Sequence, residues 1–238
     1  MNLWITGDST TSNQAKDKSL ASWGEVFHRW FDLEKIAVKN VAVSGCSIRD
    51  YVNQGHWNKL MRHAKKGDLI LTCHGHLERA PLIKDVRGSR GSLPGDDDRF
   101  IVVYDPYYKK DETVYTFGWY IRKFISNCQA MNIDLILLSP PPRAMWENGQ
   151  IRRGQSLTYI NLTERIALEM GAMFLDIGKP ISDAFNNLGQ DAVAAFFGND
   201  NLHTNIQGAE FVAGAVFEAL SASFPEIFQP LAAKQTFG

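Results

Sequence analysis

Five short apolar runs, each followed by a stretch of helical period, constrain this chain more than any other feature. The runs cover residues 3–6, 37–43, 69–73, 133–139 and 173–177; the amphipathic stretches cover 23–31, 56–65, 116–130, 157–170 and 207–220. Strands buried on both faces read as continuous apolar runs, and parallel strands need long crossovers, which helices supply. The alternation predicts an α/β protein: one open, doubly wound domain with a parallel sheet of five strands and a layer of helices on each face. With 238 residues and 45% hydrophobic content, the chain can build one large core, and no linker interrupts it. The domain is expected over residues 1–220, with 221–238 as its C-terminal tail.

In such sheets ligands bind beyond the carboxyl ends of the strands. Ser9, Gly45, His76, Pro140 and Asp176 all fall at or just past expected strand ends and should face one cleft. The segment from Arg79 to Glu112 has no clear period and is rich in Gly, Asp and Arg; it is expected to be a long loop overhanging that cleft.

Charge and cysteine content narrow the partners. Twenty-five basic and 26 acidic side chains leave a formal charge of -1, which offers no electrostatic grip on nucleic acid or an acidic membrane. The three cysteines, Cys46, Cys73 and Cys128, are too scattered for a disulfide framework or a zinc spacing and read as buried thiols. No stretch is apolar for long enough to span a bilayer. The first strand starts directly after Met1 without a signal peptide, so a cytoplasmic product is the default, and a secreted one follows if a leader was removed.

Two motifs at opposite ends carry the chemistry. Gly7-Asp8-Ser9-Thr10 ends the first strand, and Asp200-Asn201-Leu202-His203 precedes the last helical stretch. A hydroxyl is a weak nucleophile at neutral pH, so Ser9 needs a base to take its proton, and the base needs a third group to hold its tautomer. Asp200 and His203, three apart in a turn, can share a face, so that the carboxylate accepts from Nδ1–H and leaves Nε2 free. Thr204 with Gln207 reads as a capping box opening the final helix. Each motif also has a plain structural reading: Asp-Ser-Thr clusters are ordinary turn residues, and Asp200 and His203 can be surface groups.

Taken together, Gly7-Asp8-Ser9-Thr10, Gly45 within Ala42-Val43-Ser44-Gly45-Cys46-Ser47, Gly75-His76 after the third strand, and Asp200-x-x-His203 resemble the four ordered blocks of the SGNH (GDSL-like) hydrolases. The similarity is closest to the rhamnogalacturonan acetylesterases and extends to Arg90-Gly91-Ser92-Leu93-Pro94-Gly95, residues 115–120, Ser139-Pro140-Pro141-Pro142-Arg143 and Gly208-Ala209. The resemblance implies a flavodoxin-like three-layer α/β/α fold and a serine esterase that removes acetyl groups from a plant cell-wall glycan. It implies Ser9 as nucleophile, His203 as general base and then acid, and Asp200 as orienting carboxylate. No cofactor is required. The oxyanion hole would use the backbone amides of Ser9 and Gly45 and an asparagine side chain in the third block.

The chain departs from that pattern at the asparagine. Where the family has Gly-His-Asn-Asp, this sequence reads Gly75-His76-Leu77-Glu78. Leucine cannot donate a hydrogen bond, and losing one oxyanion donor costs about 3 kcal/mol, or a hundredfold to a thousandfold in turnover. Two readings follow: a weakened esterase, with His74 or His76 as a candidate substitute donor, or a non-catalytic glycan-binding protein on the same scaffold. A short-chain lipase or thioesterase is a third, disfavoured because the long loop carries Lys84, Arg87, Arg90, Asp96 and Arg99 rather than an apolar channel.

Arg143 and His76 are the candidate substrate-binding residues; Arg143 follows three prolines at a strand end, suited to a uronate carboxylate. Trp146 can stack on sugar, whereas Tyr120 reads as core. Cys73-His74-Gly75-His76 lacks further zinc ligands of matching spacing, and Asp96-Asp97-Asp98 lacks the alternating oxygens of a calcium loop, so no metal is expected.

Overall fold

The computed structural model describes residues 1–14, 19–154 and 156–233; the last five positions of the expected C-terminal tail lie outside the described residues. The strands are β1 (Asn2–Gly7), β2 (Ala37–Asn40), β3 (Leu69–Cys73), β4 (Phe100–Asp105), β5 (Lys110–Tyr115), β6 (Asp134–Leu138), β7 (Trp146–Glu147), β8 (Gln150–Ile151) and β9 (Met173–Leu175). The helices are α1 (Trp23–Val26), α2 (Ile48–Asn53), α3 (His56–His63), α4 (Phe117–Met131), α5 (Leu157–Glu169), α6 (Gly178–Leu188), α7 (Gln190–Ala194), α8 (Ile206–Ser223) and α9 (Pro225–Phe228).

Five of the strands form one parallel sheet in the order β2-β1-β3-β6-β9. Alternation within each strand divides the core into two layers. Leu3, Ile5, Leu69, Leu71, Ile136 and Leu138 face the layer of α1, α6 and α8, whereas Trp4, Ile70, Leu135 and Leu137 face the layer of α2, α3, α4 and α5. This is the three-layer α/β fold anticipated from the alternation of apolar runs and helical periods. Phe228 in α9 is fully buried against Phe31, so the segment after residue 220 packs into the same core.

From β1 the chain adds β2 on one side and then β3 on the other, so the winding direction reverses at β1. Crevices at such reversals are where ligands of open α/β sheets bind. Ser9 leaves β1 at that crevice.

Three local expectations need correction. The segment 79–112 is not a structureless loop, because residues 100–105 pair in antiparallel register with 110–115, Phe100 opposite Tyr115. Helix α8 is capped by Asn205, whose side chain accepts from Gly208 N, and not by a Thr204–Gln207 box. The Thr204 hydroxyl instead donates to the Ala21 carbonyl at 2.7 Å. Lastly, the helical stretch 23–31 is a single α-helical turn followed by a 3-10 turn over Phe27–Trp30.

Candidate active site

Ser9 sits on a turn that the sequence closes on itself. The Asp8 carbonyl accepts from Thr11 N and Ser12 N, and the Asp8 side chain accepts from Thr10 N and from the Thr10 hydroxyl. Gly7 is required by space: a Cβ there would lie 2.6 Å from the Cys73 carbonyl oxygen of the adjacent strand. The turn thus hugs β3, and Ser9 is buried apart from 6% of its surface.

The partner turn is equally fixed. Gly198 N donates to the His203 carbonyl, Asn205 N to the Phe196 carbonyl, and Ala21 N to the Thr204 carbonyl. Within it, Asp200 Oδ1 accepts from Leu202 N at 2.9 Å and His203 N at 2.7 Å, while Oδ2 lies 2.7 Å from His203 Nδ1. Partial burial pushes the Asp200 carboxyl up, but these hydrogen bonds outweigh it and hold it below the usual carboxylate range. A carboxylate only accepts, so the ring hydrogen belongs on Nδ1. Nε2 is then free to accept from Ser9 Oγ, 2.8 Å away. The structure therefore brings Ser9, His203 and Asp200 into one hydrogen-bonded line.

His76, just past the end of the third strand, is close enough to His203 to interact with it electrostatically. His76 borders a cleft with Pro141, Arg143, Met145, Arg152 and Arg153. Burial lowers the basicity of His76, and Arg143 and His203 add to that lowering against the opposing pull of Asp8 and the Pro141 carbonyl. Arg152 pairs with Glu147 and Arg153 with Asp176, but among the described residues no carboxylate lies within ion-pair distance of Arg143. Asp176 is further occupied by the Ser139 hydroxyl.

Other candidates fall away from the cleft chemistry. His74 is buried among aromatic rings, 5.4 Å from Tyr51 and 6.1 Å from Phe124 by ring centroids, with neither ring nitrogen hydrogen-bonded among the described residues. Burial lowers its pKa to about 4. That packing removes it as a substitute oxyanion donor. Trp146 is half-buried in β7 and packs on the core, and Tyr120 is fully buried with its hydroxyl accepting from Tyr115 N. Arg90, expected in the charged loop, is fully buried and paired with Asp105, so it does not charge the cleft wall.

Gly45 adopts φ +69°, a left-handed conformation that disfavours side chains. Its carbonyl accepts from the Ser89 hydroxyl at 2.7 Å, which pins the loop after β2 to the 79–99 segment. Ser89 carries no signal in the sequence, because only the tertiary fold puts it beside Gly45. Glu78 is another residue the motifs do not explain. Its carboxyl accepts from Ile48 N, and burial together with Asp8 and Asp50 pushes its pKa up to about 8.

No family model matches the chain. It is 28% identical over 221 residues to a rhamnogalacturonan acetylesterase of Emericella nidulans, covering 93% of this chain and 85% of that protein. Its fold superimposes on that of YxiM of Bacillus subtilis with a TM-score of 0.72 at 20% identity, over 93% of this chain and 56% of the other. It also matches the acetyl-xylooligosaccharide esterase Axe2 of Geobacillus stearothermophilus with a TM-score of 0.57 at 18% identity, over 92% and 93% of the two chains. By sequence, fold and the motifs brought together at the end of the sheet, the chain resembles the SGNH/GDSL-like hydrolases, among them the rhamnogalacturonan acetylesterases, and is a serine esterase.

Proposed function

We propose that this carbohydrate esterase removes acetyl groups from an acetylated plant cell-wall polysaccharide such as rhamnogalacturonan. The observation that carries the reading is the line from Ser9 Oγ to His203 Nε2 and from His203 Nδ1 to Asp200. In the proposed reaction Ser9 Oγ attacks the acetyl carbonyl while His203 takes its proton. The tetrahedral oxyanion is met by the backbone N–H groups of Ser9 and Gly45. His203 then protonates the departing sugar oxygen, and water, deprotonated by the same imidazole, releases acetate from the acyl enzyme.

Arg143 supports an acidic glycan over a neutral one, since a guanidinium that lines a cleft beside His76 and has no carboxylate partner among the described residues suits a uronate carboxylate. Leu77 in place of the oxyanion asparagine supports a slowed enzyme. It also favours the second reading, in which the cleft binds glycan without turnover. One comparison separates the two: acetyl release from acetylated rhamnogalacturonan by the wild type, Ser9→Ala and Leu77→Asn. The esterase reading expects Ser9→Ala at background and Leu77→Asn about a hundredfold to a thousandfold above wild type. Equal background rates in all three would end it.

A further inference from the structure

Strand β4 presents an open edge. Its inner edge is fully paired to β5, and the outer edge of β5 is occupied, with Asn53 Nδ2 donating to the Thr113 carbonyl. Among the described residues, no main-chain hydrogen bond other than those to β5 reaches residues 100–104. Half the N–H and C=O groups of a strand paired on one side only point away from its partner, so β4 offers a row of them to solvent.

The side chains on that edge are as unusual as the backbone. Phe100, Val102 and Tyr104 alternate onto one face and are 57%, 61% and 57% exposed. Residues 100–104 contain no charge and no proline, the devices that normally protect an edge. Such a strand is a template for another strand.

The sequence is complementary to itself. Antiparallel pairing centred on Val102 sets it against the partner's Val102, Phe100 against the partner's Tyr104, and Ile101 against the partner's Val103. Aromatic and β-branched pairs of this kind stabilise adjacent strands, and the arrangement is isologous, so it closes as a dimer. Charge agrees with it. Exposed Asp97, Asp98 and Arg99 precede the strand, Arg99 pairing with Asp97, and exposed Lys109, Lys110 and Asp111 follow it, so the exposed side chains leave one net negative charge before the strand and one net positive charge after it. Antiparallel pairing lays the acidic end of each copy beside the basic end of the other, whereas parallel pairing would stack like charges.

We propose that the protein self-associates through β4, two hairpins joining across a two-fold axis into a four-stranded antiparallel sheet. A polysaccharide stacking on Phe100 and Tyr104 is the competing occupant, but it uses neither the self-complementary order nor the charge asymmetry.

The test is cysteine cross-linking with sedimentation. Cys46, Cys73 and Cys128 are all buried, so an engineered surface thiol reports alone. Opposed residues in an antiparallel pair have Cα atoms about 4.5–5.5 Å apart, within disulfide reach. Val102→Cys is expected to form a disulfide dimer under mild oxidation, while Tyr104→Cys, equally exposed but off the axis, stays monomeric. Wild type at tens of micromolar is expected to sediment at twice the monomer mass, and Val102→Lys at the monomer mass with an unchanged far-ultraviolet circular dichroism spectrum and a cooperative unfolding transition that does not depend on protein concentration. A monomeric wild type, a dimer that persists in Val102→Lys, or equal cross-linking at 102 and 104 would overturn the proposal. A monomeric wild type that binds polysaccharide, and loses it in Val102→Lys, would assign the face to glycan instead.

Discussion

Ser9 Oγ and His203 Nε2 lie 2.8 Å apart across 194 positions of the chain. Ser9 is held on a turn that Gly7 presses against β3, and His203 on a turn stitched to residues 21, 196 and 198. A hydroxyl and an imidazole held this way meet without reorganisation, which is what an activated nucleophile requires.

Asp200→Asn should separate orientation from structure. The amide oxygen can still accept from Leu202 N and His203 N, so the turn survives, but its NH2 group faces Nδ1 and favours the wrong tautomer. Expected is a loss of about 10^4-fold in kcat with little change in KM. Steady-state hydrolysis of a short-chain ester, alongside thermal unfolding, measures both.

Ser89→Ala removes the hydroxyl that holds the Gly45 carbonyl. With the asparagine donor already replaced by Leu77, the Gly45 amide would carry a larger share of the oxyanion, and its placement matters more. One hydrogen bond of about 1–1.5 kcal/mol predicts roughly a tenfold fall in kcat. KM should hold, and a change confined to KM would show that Ser89 serves binding.

Arg143→Met tests the substrate class. Against an acetylated glycan containing uronic acid, kcat/KM should fall about tenfold or more, since a charged hydrogen-bonded pair contributes about 1.5–3 kcal/mol. Against neutral acetylated xylo-oligosaccharide the rate should be unchanged. Equal losses on both would remove the role of the guanidinium in recognising charge.

Glu78 makes stability depend on pH in a defined direction. Its ordinary value is 4.5 and its folded value about 8, so the folded state holds this proton more tightly than the unfolded one. The stabilisation is fully present below about 4.5 and is lost as pH rises to about 8, at up to about 1.4 kcal/mol per pH unit. Glu78→Gln carries no such proton, so its stability relative to wild type should rise between pH 5 and pH 8.5. Urea unfolding at both values checks this, and parallel behaviour of the two proteins would contradict it.

The centre of the sheet was legible because β1, β3 and β6 are buried on both faces and therefore write nearly uninterrupted apolar runs, such as Leu69-Ile70-Leu71, whereas the edge strand β2 is partly exposed and carries Lys39 and Asn40. The Asp200–His203 turn was legible because its partners are three apart. The β4–β5 hairpin was not: both faces of β4 meet solvent near Phe100–Val102, so no alternation of apolar and polar residues marks the strand. Arg90 reads as a surface charge until the fold supplies Asp105 and the rings of Tyr107 and Tyr108 around it. Thr204 and Asn205 are both plausible caps by type. Only the Ala21 carbonyl, brought from the far end of the chain, decides which is used.

Labelling with a fluorophosphonate tests the central claim most directly, because the reagent modifies only an activated serine hydroxyl and needs no knowledge of the natural glycan. The account predicts stoichiometric modification of Ser9, abolished in Ser9→Ala and slowed strongly in His203→Ala. An unlabelled Ser9 in folded wild-type protein, or modification at an undiminished rate in His203→Ala, would contradict it.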